Sequence, residues 1–542
     1  MESRQNILIL SVFFTSLLMW TSWQSFQQKK NIDLRKEKQE ITKQSNNSPL
    51  NSNPLIQTEK NDAIEKSTQL INVETDNLLV KINPIGGDIV FASLKKYKKE
   101  INGDKNLIIL QNDKDNNFLY YAQSGLIGIN GIDSNKKRAV YDFENTEYKM
   151  TPDQQELNVD LNFEKDNIKY TKRYTFHNNK HNIKVSYIIE NRSENNAIVE
   201  AYHQIKQSIN KSEESGNMFM PTYRGAAYSS EDIRFQKYSF EDIQEQDLTL
   251  SSNKGWISMI QHYFVTAWVP EKQTNFNIYT RNIQNKTAII GFKSNQEVIT
   301  ANSKKIISSD LYIGPKTQKE LVELADNLNL VVDYGFLWWL AVPIHKALMY
   351  SQKLTVNWGL AIILITLLIR LLMFPLTKAQ HVSMAKTKKI QPKIEKLKQR
   401  YGEDKNKLGQ AMIELYQKEK VNPIGGCLPI ILQMPIFLAL YWVLLESVEL
   451  RHAPFIFWIQ DLSVQDPFYI LPILMGASML IMQKMQPSPA SLDENQKKVM
   501  QIMPLIFTVF FLWFPSGLVL YWLISNIATI IQQSIIFKKI GK

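Results

Sequence analysis

The chain has 542 residues, a formal net charge of +11 and a single cysteine. This length allows one large domain and a second module, and one cysteine excludes an intramolecular disulfide framework. The mean hydropathy of −0.24 is typical of a soluble protein, but it averages a polar part, about 25–330, with an apolar part that begins near residue 336.

The N-terminal segment, 1–23, is apolar. Within it Ile7–Trp23 carries no charge and is just long enough to span a bilayer. An uncleaved signal anchor and a removed signal peptide are both open interpretations. The anchor is favoured because no small-residue cleavage site follows. Residues 24–71 are of low complexity and rich in Asn, Gln, Lys and Ser, which predicts a disordered tether.

Residues 72–330 predict an all-β domain, because apolar side chains recur there at every second position. Three consecutive segments, 157–163, 168–176 and 183–189, follow this alternation and are separated by polar turns. The pattern indicates antiparallel strands. Strands of this kind over about 250 residues imply a large β-sandwich in which each sheet has one solvated face.

Long apolar segments dominate the rest of the chain. A shorter one, 336–353, contains His345-Lys346 and is interpreted as an interfacial helix lying along the bilayer surface. The longer segments predict transmembrane helices, so the chain has six of them when the N-terminal anchor is included. These five segments cover 358–376, 428–447, 467–483, 499–514 and 517–537.

Basic residues predict the orientation of these segments. Lys and Arg are concentrated in 377–427, in 484–498 and at the C-terminus, whereas 448–466 contains only Arg451. The positive-inside rule therefore places the three basic regions in the cytoplasm. With six spans, both termini are expected in the cytoplasm and the β domain on the outer side of the membrane.

The basic segment 377–427 has a helical period that is interrupted at 402–404, which predicts an antiparallel helical hairpin. Its basic surface could contact anionic lipid or ribosomal RNA. Charge alone is equally consistent with a topology signal that has no specific partner. The candidate contact residues of this hairpin are Lys388, Lys389, Lys393 and Arg400.

Arg370 is the most informative residue of the apolar part, because it lies inside the predicted span 358–376. A guanidinium keeps its charge in a protein, and placing it in hydrocarbon costs at least about 2.5 kcal/mol. Arg370 could snorkel to the headgroups, roughly 10 Å away, or face a water-containing cavity between helices. Polar residues in the same and neighbouring spans favour the cavity. They are Thr366, Gln433, Ser525, Asn526, Gln532 and Gln533.

Catalytic signatures are absent from the sequence. It contains no G-x-x-x-x-G-K-[ST], H-E-x-x-H or G-x-S-x-G motif. His177 and His181 have a plausible spacing for metal ligands, but they lie on a predicted turn without a third ligand nearby. The sequence therefore predicts no enzyme, no metal site and no nucleotide or other cofactor.

Several blocks of residues in the apolar part resemble the YidC family of bacterial membrane protein insertases. They are 333–335, 370–380, 391–394, 420–429, 433–441 and 511–521, and weaker matches in the β domain are 75–76 and 86–89. The resemblance implies a five-helix insertase core whose groove opens to the cytosol and to lipid, and a periplasmic β-supersandwich similar to sugar mutarotases. It matches Arg370 to the family's groove arginine and Thr366 and Gln433 to polar groove positions. In the last span, the candidate groove residues are Asn526, Tyr521 and Trp522, the last where relatives often have a second tyrosine.

The function implied by this resemblance is the insertion and folding of nascent membrane proteins in the bacterial inner membrane, alone or with the Sec translocon. No nucleotide or cofactor is expected, and the ribosome is a further candidate partner. A membrane-anchored carbohydrate-binding or carbohydrate-active periplasmic protein is the alternative, motivated by the β-sandwich. A solute transporter would need internal repeats and paired discontinuous helices, which the sequence does not show.

Overall fold

The structure, a computed structural model, describes residues 69–113, 118–134, 137–209, 222–401, 404–419, 428–485 and 494–541. The predicted anchor, 1–23, and nearly all of the predicted tether, 24–71, lie outside these residues. The described residues form two compact units. The β unit contains 69–343 and 441–464, and the helical unit contains 344–440 and 465–541.

Strands make up most of the β unit. The described strands are β1 (Ile71–Glu74), β2 (Leu78–Asn83), β3 (Asp88–Lys98), β4 (Asn106–Asp113), β5 (Phe118–Ile127), β6 (Asp142–Phe143), β7 (Glu147–Lys149), β8 (Glu156–Lys165), β9 (Ile168–His177), β10 (Asn182–Asn191), β11 (Ala197–Ser208), β12 (Gly225–Ser229), β13 (Gln236–Tyr238), β14 (Thr249–Ser252), β15 (Trp256–Ile260), β16 (Phe264–Pro270), β17 (Phe276–Ile283), β18 (Thr287–Ser294), β19 (Glu297–Ile299) and β20 (Ser303–Pro315). Two short helices accompany them, α1 (Phe240–Glu245) and α2 (Gln318–Leu324).

The strands pair into two large sheets. The first has the order β14-β17-β18-β11-β5-β4-β3-β2-β1-β7, with β19 also paired to β11. The second has the order β13-β12-β15-β16-β20-β10-β9-β8-β6. The pairs are antiparallel except for β1 with β7, which is parallel. One continuous apolar core contains buried side chains from both sheets, so the unit is a β-sandwich, as predicted.

Alternation explains the predicted strands β8, β9 and β10. Leu157, Val159 and Leu161 of β8 are buried, and the residues between them are more exposed. The turn between β8 and β9 contains Asp166 and Asn167 with positive φ angles of 53° and 58°. Short polar residues tolerate this conformation better than bulky ones, so the turn and the alternation together fix the register of this hairpin.

A group of charged side chains is buried in the β unit. Arg138 donates to Asp88 at 2.9 Å and to Asp133 at 2.8 Å, and all three side chains are less than 10% exposed. The Lys172 ammonium donates to the carbonyl oxygens of Gly86 and Gly87, at 3.0 and 2.8 Å, and burial lowers its pKa to about 7. A Cβ at Gly86 would lie 2.3 Å from the guanidinium, so only glycine allows this approach.

The described helices that follow are α3 (Trp338–Thr355), α4 (Trp358–Leu372), α5 (Phe374–Tyr401), α6 (Lys405–Lys418), α7 (Leu428–Glu446), α8 (Ile470–Met485), α9 (Glu494–Phe510) and α10 (Ser516–Gly541). Asn357 caps α4, because its side chain accepts from the Leu360 amide. The predicted span 358–376 is divided, since α4 ends at Leu372 and α5 begins at Phe374 with a bend of 67°. Pro375 lies in the first turn of α5, where its missing N–H leaves no helical bond unmade.

The number of membrane-crossing helices remains a prediction. By length and composition, α10 alone among the described helices is long and apolar enough to cross a bilayer, and α4 with α5 qualifies if the bent pair is one span. Gln433–Glu446, Ile470–Met485 and Gln501–Trp513 are shorter apolar helices. A helix of 16 residues, such as α8, is about 24 Å long, which is less than a hydrocarbon core of about 30 Å.

Candidate functional site

Arg370 lies in the last turn of α4 and contacts α10, which packs against it in the helical unit. Its Nε donates to the Ser525 hydroxyl at 3.1 Å, and one terminal nitrogen donates to the same oxygen. The Gln433 amide of α7 donates to this oxygen as well, at 3.4 Å. Three N–H groups from two helices therefore converge on one hydroxyl.

A small cavity of about 10 Å³ adjoins the guanidinium, which is the space of roughly one water molecule. It is lined by Arg370, Thr366, Gln433 and Tyr521, together with Ile369, Met373, Thr377 and Ile436. Four of the predicted groove residues thus line one space. The guanidinium of Arg370 is hydrogen-bonded to a side chain of the neighbouring helix α10.

Two other predicted groove residues have different neighbours. Asn526 is buried, and its amide donates to the Ser478 hydroxyl of α8 at 2.9 Å. The Trp522 ring packs against Phe437 and Phe511, with centroids 4.6 and 5.1 Å away. Neither residue lines the cavity, so both support helix packing in this structure.

The charge of Arg370 is not balanced by a carboxylate within the part of the chain that the structure describes. Every ion pair found there involves other residues. The Thr366 hydroxyl, buried beside it, donates to the Ile362 carbonyl at 2.6 Å. The site therefore presents a fixed positive charge whose hydrogen-bonding partner is a neutral hydroxyl.

Ser525 was identified from the sequence only as one of several polar residues, and its direct contact with Arg370 was missed. A signal for it exists, because Ser525 follows the cavity-lining Tyr521 by four residues. Residues four apart lie on the same face of a helix. Locating this contact from the sequence would have required the rotation of α10 relative to α4.

The helical hairpin consists of α5 and α6, which pack through Ile390 and Ile394 against Met412, Leu415 and Tyr416. Its four candidate contact residues, Lys388, Lys389, Lys393 and Arg400, are exposed. Lys393 forms an ion pair with Glu419 at 2.7 Å, which links α5 to the residue that follows α6. The Lys388 ammonium lies 5.7 Å from the centre of the Phe537 ring of α10.

The histidine pair of the β unit has carboxylate partners. His177 lies 3.3 Å from Glu156, and His181 lies 2.8 Å from Glu320. Among the described residues, no group of three or more His, Cys, Asp or Glu side chains could hold a metal ion.

Comparison with known proteins identifies the family. The family described as "60Kd inner membrane protein" matches residues 349–542, and the family described as "YidC periplasmic domain" matches 70–347. The chain is 53% identical over 544 residues to a membrane protein insertase YidC of Shewanella sp. (strain ANA-3), covering 100% of this chain and 99% of that protein. The chain belongs to the YidC family of membrane protein insertases.

Membership of the YidC family confirms the resemblance noted in the sequence, and with it the function of a membrane protein insertase. It also supports an inner-membrane location and a periplasmic β domain. The carbohydrate-related alternative is not favoured, because the full length of the chain matches insertases.

Two solved structures also resemble the chain. The crystal structure of an active YidC insertase is 17% identical and covers 87% of this chain and 92% of that chain, with a TM-score of 0.38. A galactose mutarotase-like protein of Lactobacillus casei is 9% identical and covers 45% of this chain and 99% of that chain, with a TM-score of 0.33. Both TM-scores are below 0.5, so neither likeness supports an inference about this chain.

Proposed function

We propose that the cavity at Arg370 receives the hydrophilic tail of a nascent membrane protein while its apolar segment enters the lipid. The observation that carries this proposal is the neutral environment of the guanidinium, whose hydrogen-bond acceptor is the Ser525 hydroxyl. Arg370 is partly buried, and a charge removed from water normally has an opposite charge beside it. A client carboxylate would supply that charge for the time of its passage.

The attraction is large enough to affect insertion. Two unit charges 4 Å apart gain about 4 kcal/mol at an effective dielectric constant of 20. A carboxylate at the position of the Ser525 hydroxyl would replace a neutral acceptor by a charged one, and charge-assisted hydrogen bonds are roughly twice as strong. Acidic tails are therefore the clients that depend most on Arg370, whereas uncharged tails gain little from its charge.

The energy for insertion comes from the client's own apolar surface, at about 25 cal/mol per Å² removed from water. No nucleotide is needed for this step, and the membrane potential adds a force on charged tails. Helices α7 and α9 are the proposed path into lipid. Along α9, four apolar side chains are more than 45% exposed: Ile502, Leu505, Ile506 and Val509.

The hairpin of α5 and α6 is proposed to meet the client first. Its exposed basic residues, named above, lie on the side of the membrane that the positive-inside rule assigns to the cytoplasm, as do both chain termini in this proposal. Lys388, Lys389 and Arg400 could contact an emerging acidic tail, anionic lipid or the ribosome. Nascent membrane proteins are the proposed clients, received directly or from the Sec translocon.

Arg370→Ala and Arg370→Lys test the proposal in cells depleted of their own insertase. The assay follows insertion of two clients that differ only in an acidic or an uncharged tail. We expect Arg370→Ala to slow the acidic client about tenfold or more, the effect of roughly 1.4 kcal/mol, and Arg370→Lys to retain most activity. Leu371→Ala is the matched control, because Leu371 is 68% exposed on the next position of α4. Normal insertion of the acidic client by Arg370→Ala would show that the charge of Arg370 has no role in the mechanism.

Crosslinking locates the client directly. Photoreactive residues at 366, 370 and 433 should crosslink to the tail of a stalled nascent chain, because these positions line the cavity. A photoreactive residue at 526 should not, because Asn526 is buried against α8. The same crosslinks from all four positions would contradict the assignment of the cavity.

A further inference from the structure

The exposed aromatic side chains of the β unit are confined to two short segments. Among the residues described for this unit, four aromatic side chains are more than 40% exposed: Phe336, Trp338, Trp339 and Phe457. The chain passes between the β unit and the helical unit at 343–344, 440–441 and 464–465, so all four residues lie near such a passage in the sequence. Exposed aromatic residues of membrane proteins concentrate at the membrane surface, and this distribution therefore indicates a lipid contact.

The first segment already has an assignment, because Trp338 and Trp339 begin α3, the helix that is predicted to lie along the bilayer surface. The second segment belongs to the connection between α7 and α8. Residues 453–460 of this connection contain three aromatic residues and no charged residue. This composition differs from that of loops that face water, which are rich in Ser, Asn, Asp and Gly.

The aromatic tip, residues 455–459, is a tight turn on a buried base. The Phe455 amide donates to the Ile459 carbonyl oxygen at 2.9 Å, which closes the turn. Ile459 and Leu462 are only 3% and 0% exposed, and the Leu462 amide donates to the Ala453 carbonyl oxygen at 3.1 Å. The base of the turn is therefore fixed by packing and by backbone hydrogen bonds.

The top of the aromatic tip exposes apolar side chains on a strained backbone. Ile456 and Phe457 are 46% and 80% exposed, and the Trp458 ring stacks on Phe457 with centroids 6.0 Å apart. Phe457 has a positive φ of 55°, which is uncommon for a bulky residue and easy only for glycine. Strained positions of this kind are concentrated at functional sites. The Phe457 side chain therefore has a conformation that presents it to a partner outside the fold.

We propose that the aromatic tip inserts into the interface of the outer leaflet and is a second lipid anchor of the chain, in addition to α3. Lipid is the partner because the tip lies on the connection between two apolar helices, α7 and α8, and because the chain belongs to an inner-membrane family. The positive-inside rule assigns this connection to the outer side. Interfacial segments bury their apolar face about 5–10 Å into the boundary between headgroups and acyl chains, a depth that the side chains of one turn can reach.

A fluorescent label at position 457 tests this proposal in the full-length protein, reconstituted in phosphatidylcholine vesicles. Phe457→Cys is labelled with an environment-sensitive dye after Cys427→Ser has removed the single native thiol. We expect nitroxide groups at the glycerol level of the lipid to quench the dye and its emission to shift to the blue. Iodide present on both sides of the membrane should quench it weakly.

Ile129→Cys is the matched control, because Ile129 is also an apolar residue of the β unit and is 79% exposed. Its dye should be quenched by iodide and not by the lipid nitroxides. A second variant, Phe457→Gly, removes the aromatic ring while it keeps the turn, because glycine adopts a positive φ without strain. A dye at Ile456→Cys should therefore lose its quenching by lipid when Phe457→Gly is added.

Four results would overturn the proposal. Strong iodide quenching at 457 would place the aromatic tip in water, and protection from both quenchers would show that protein covers it. Equal lipid quenching at 457 and 129 would show that the β unit contacts lipid over a wide surface. Lipid quenching at 456 that is unchanged by Phe457→Gly would show that the ring does not anchor the turn. None of these results affects the proposed role of Arg370, which is tested by the insertion of acidic-tailed clients.

Discussion

The buried ion pair between Lys316 and Glu446 in the β unit offers a sharp test of the energetics. The Lys316 ammonium lies 2.5 Å from a Glu446 carboxylate oxygen, and the two side chains are only 3% and 7% exposed. Lys316 follows β20 directly, and Glu446 is the last residue of α7. A second pair, Lys237 with Asp333, lines the same cavity of about 100 Å³.

Glu446→Gln should destabilise the protein by about 3–5 kcal/mol, because it leaves a buried ammonium without its counter-charge. Lys316→Met in the same background removes that charge. Replacing a whole buried pair by neutral residues is often nearly neutral, so the double variant should recover most of the loss. The pair therefore has a coupling energy of at least about 2 kcal/mol in a double-mutant cycle.

Urea unfolding of the full-length protein in detergent measures the stability, and hydrogen exchange at 443–450 reports the end of α7 locally. Glu323→Gln is the matched control, because the Lys180–Glu323 pair has a similar geometry at 2.9 Å but side chains that are 46% and 48% exposed. That variant should show no measurable change. A loss below 1 kcal/mol for Glu446→Gln, or a double variant as unstable as the sum of the singles, would refute the reasoning.

Three further predictions concern other buried groups. Burial lowers the pKa of His203 to about 3, below an unfolded value of about 6.5. Between pH 6.5 and 3, only the unfolded state binds a proton at this histidine. The free energy of unfolding therefore falls by about 1.4 kcal/mol per pH unit as the pH drops over this range. His203→Phe should reduce this pH dependence, measured by urea unfolding. Gly476→Ala should lower stability by about 1–3 kcal/mol, because its Cβ would lie 1.9 Å from the Thr508 hydroxyl, and Thr508→Ala should restore part of the loss in thermal unfolding. Asp133→Asn should cost about 3 kcal/mol in urea unfolding, because it removes one of the two carboxylates that bind the buried Arg138.

Each of these predictions has an outcome that contradicts it. A pH slope unaltered by His203→Phe would show that other groups account for the acid sensitivity. Equal melting temperatures for Gly476→Ala and the original chain would show that α8 and α9 can move apart to accept the added methyl group without a loss of stability. For Asp133→Asn, the half-exposed ion pair of Arg173 with Asp160 supplies the comparison. An equal effect of Asp160→Asn would show that burial does not set the cost.

The strands of the β unit could be predicted because their pattern is local. The alternation over 157–163 appears in the sequence and fixes which face of β8 is buried. The buried cluster of Arg138, Asp88 and Lys172 could not be predicted, because its members are 34 to 84 residues apart and meet only through the packing of the strands. A charged residue in a strand is expected on the solvated face, so the sequence favours the opposite placement.

The site was predictable to the extent that helical spacing determines it. Thr366 shares a face of α4 with Arg370 because it lies four residues earlier, and both line the cavity. Asn526 was placed in the same groove because it is polar and in the last span. Successive residues of a helix are about 100° apart, so the residue after Ser525 contacts α8 instead. The composition of α10 shows that it carries polar residues, but the rotation of the helix about its axis decides which of them contacts Arg370.

In the proposed mechanism, the Ser525 hydroxyl that is bonded to Arg370 affects how long a client stays at the site. Residence time depends mainly on the dissociation rate, which falls steeply as the bound state becomes more stable. When an acidic group leaves, Ser525 can take up the same N–H groups at once, so the guanidinium is never left without an acceptor. The client carboxylate is then replaced by the Ser525 hydroxyl as the acceptor of these N–H groups. This exchange lowers the activation barrier for dissociation of the client, because the guanidinium charge is not left without a hydrogen bond. If clients bind at Arg370 as proposed, the serine favours short occupancy and repeated use of the site.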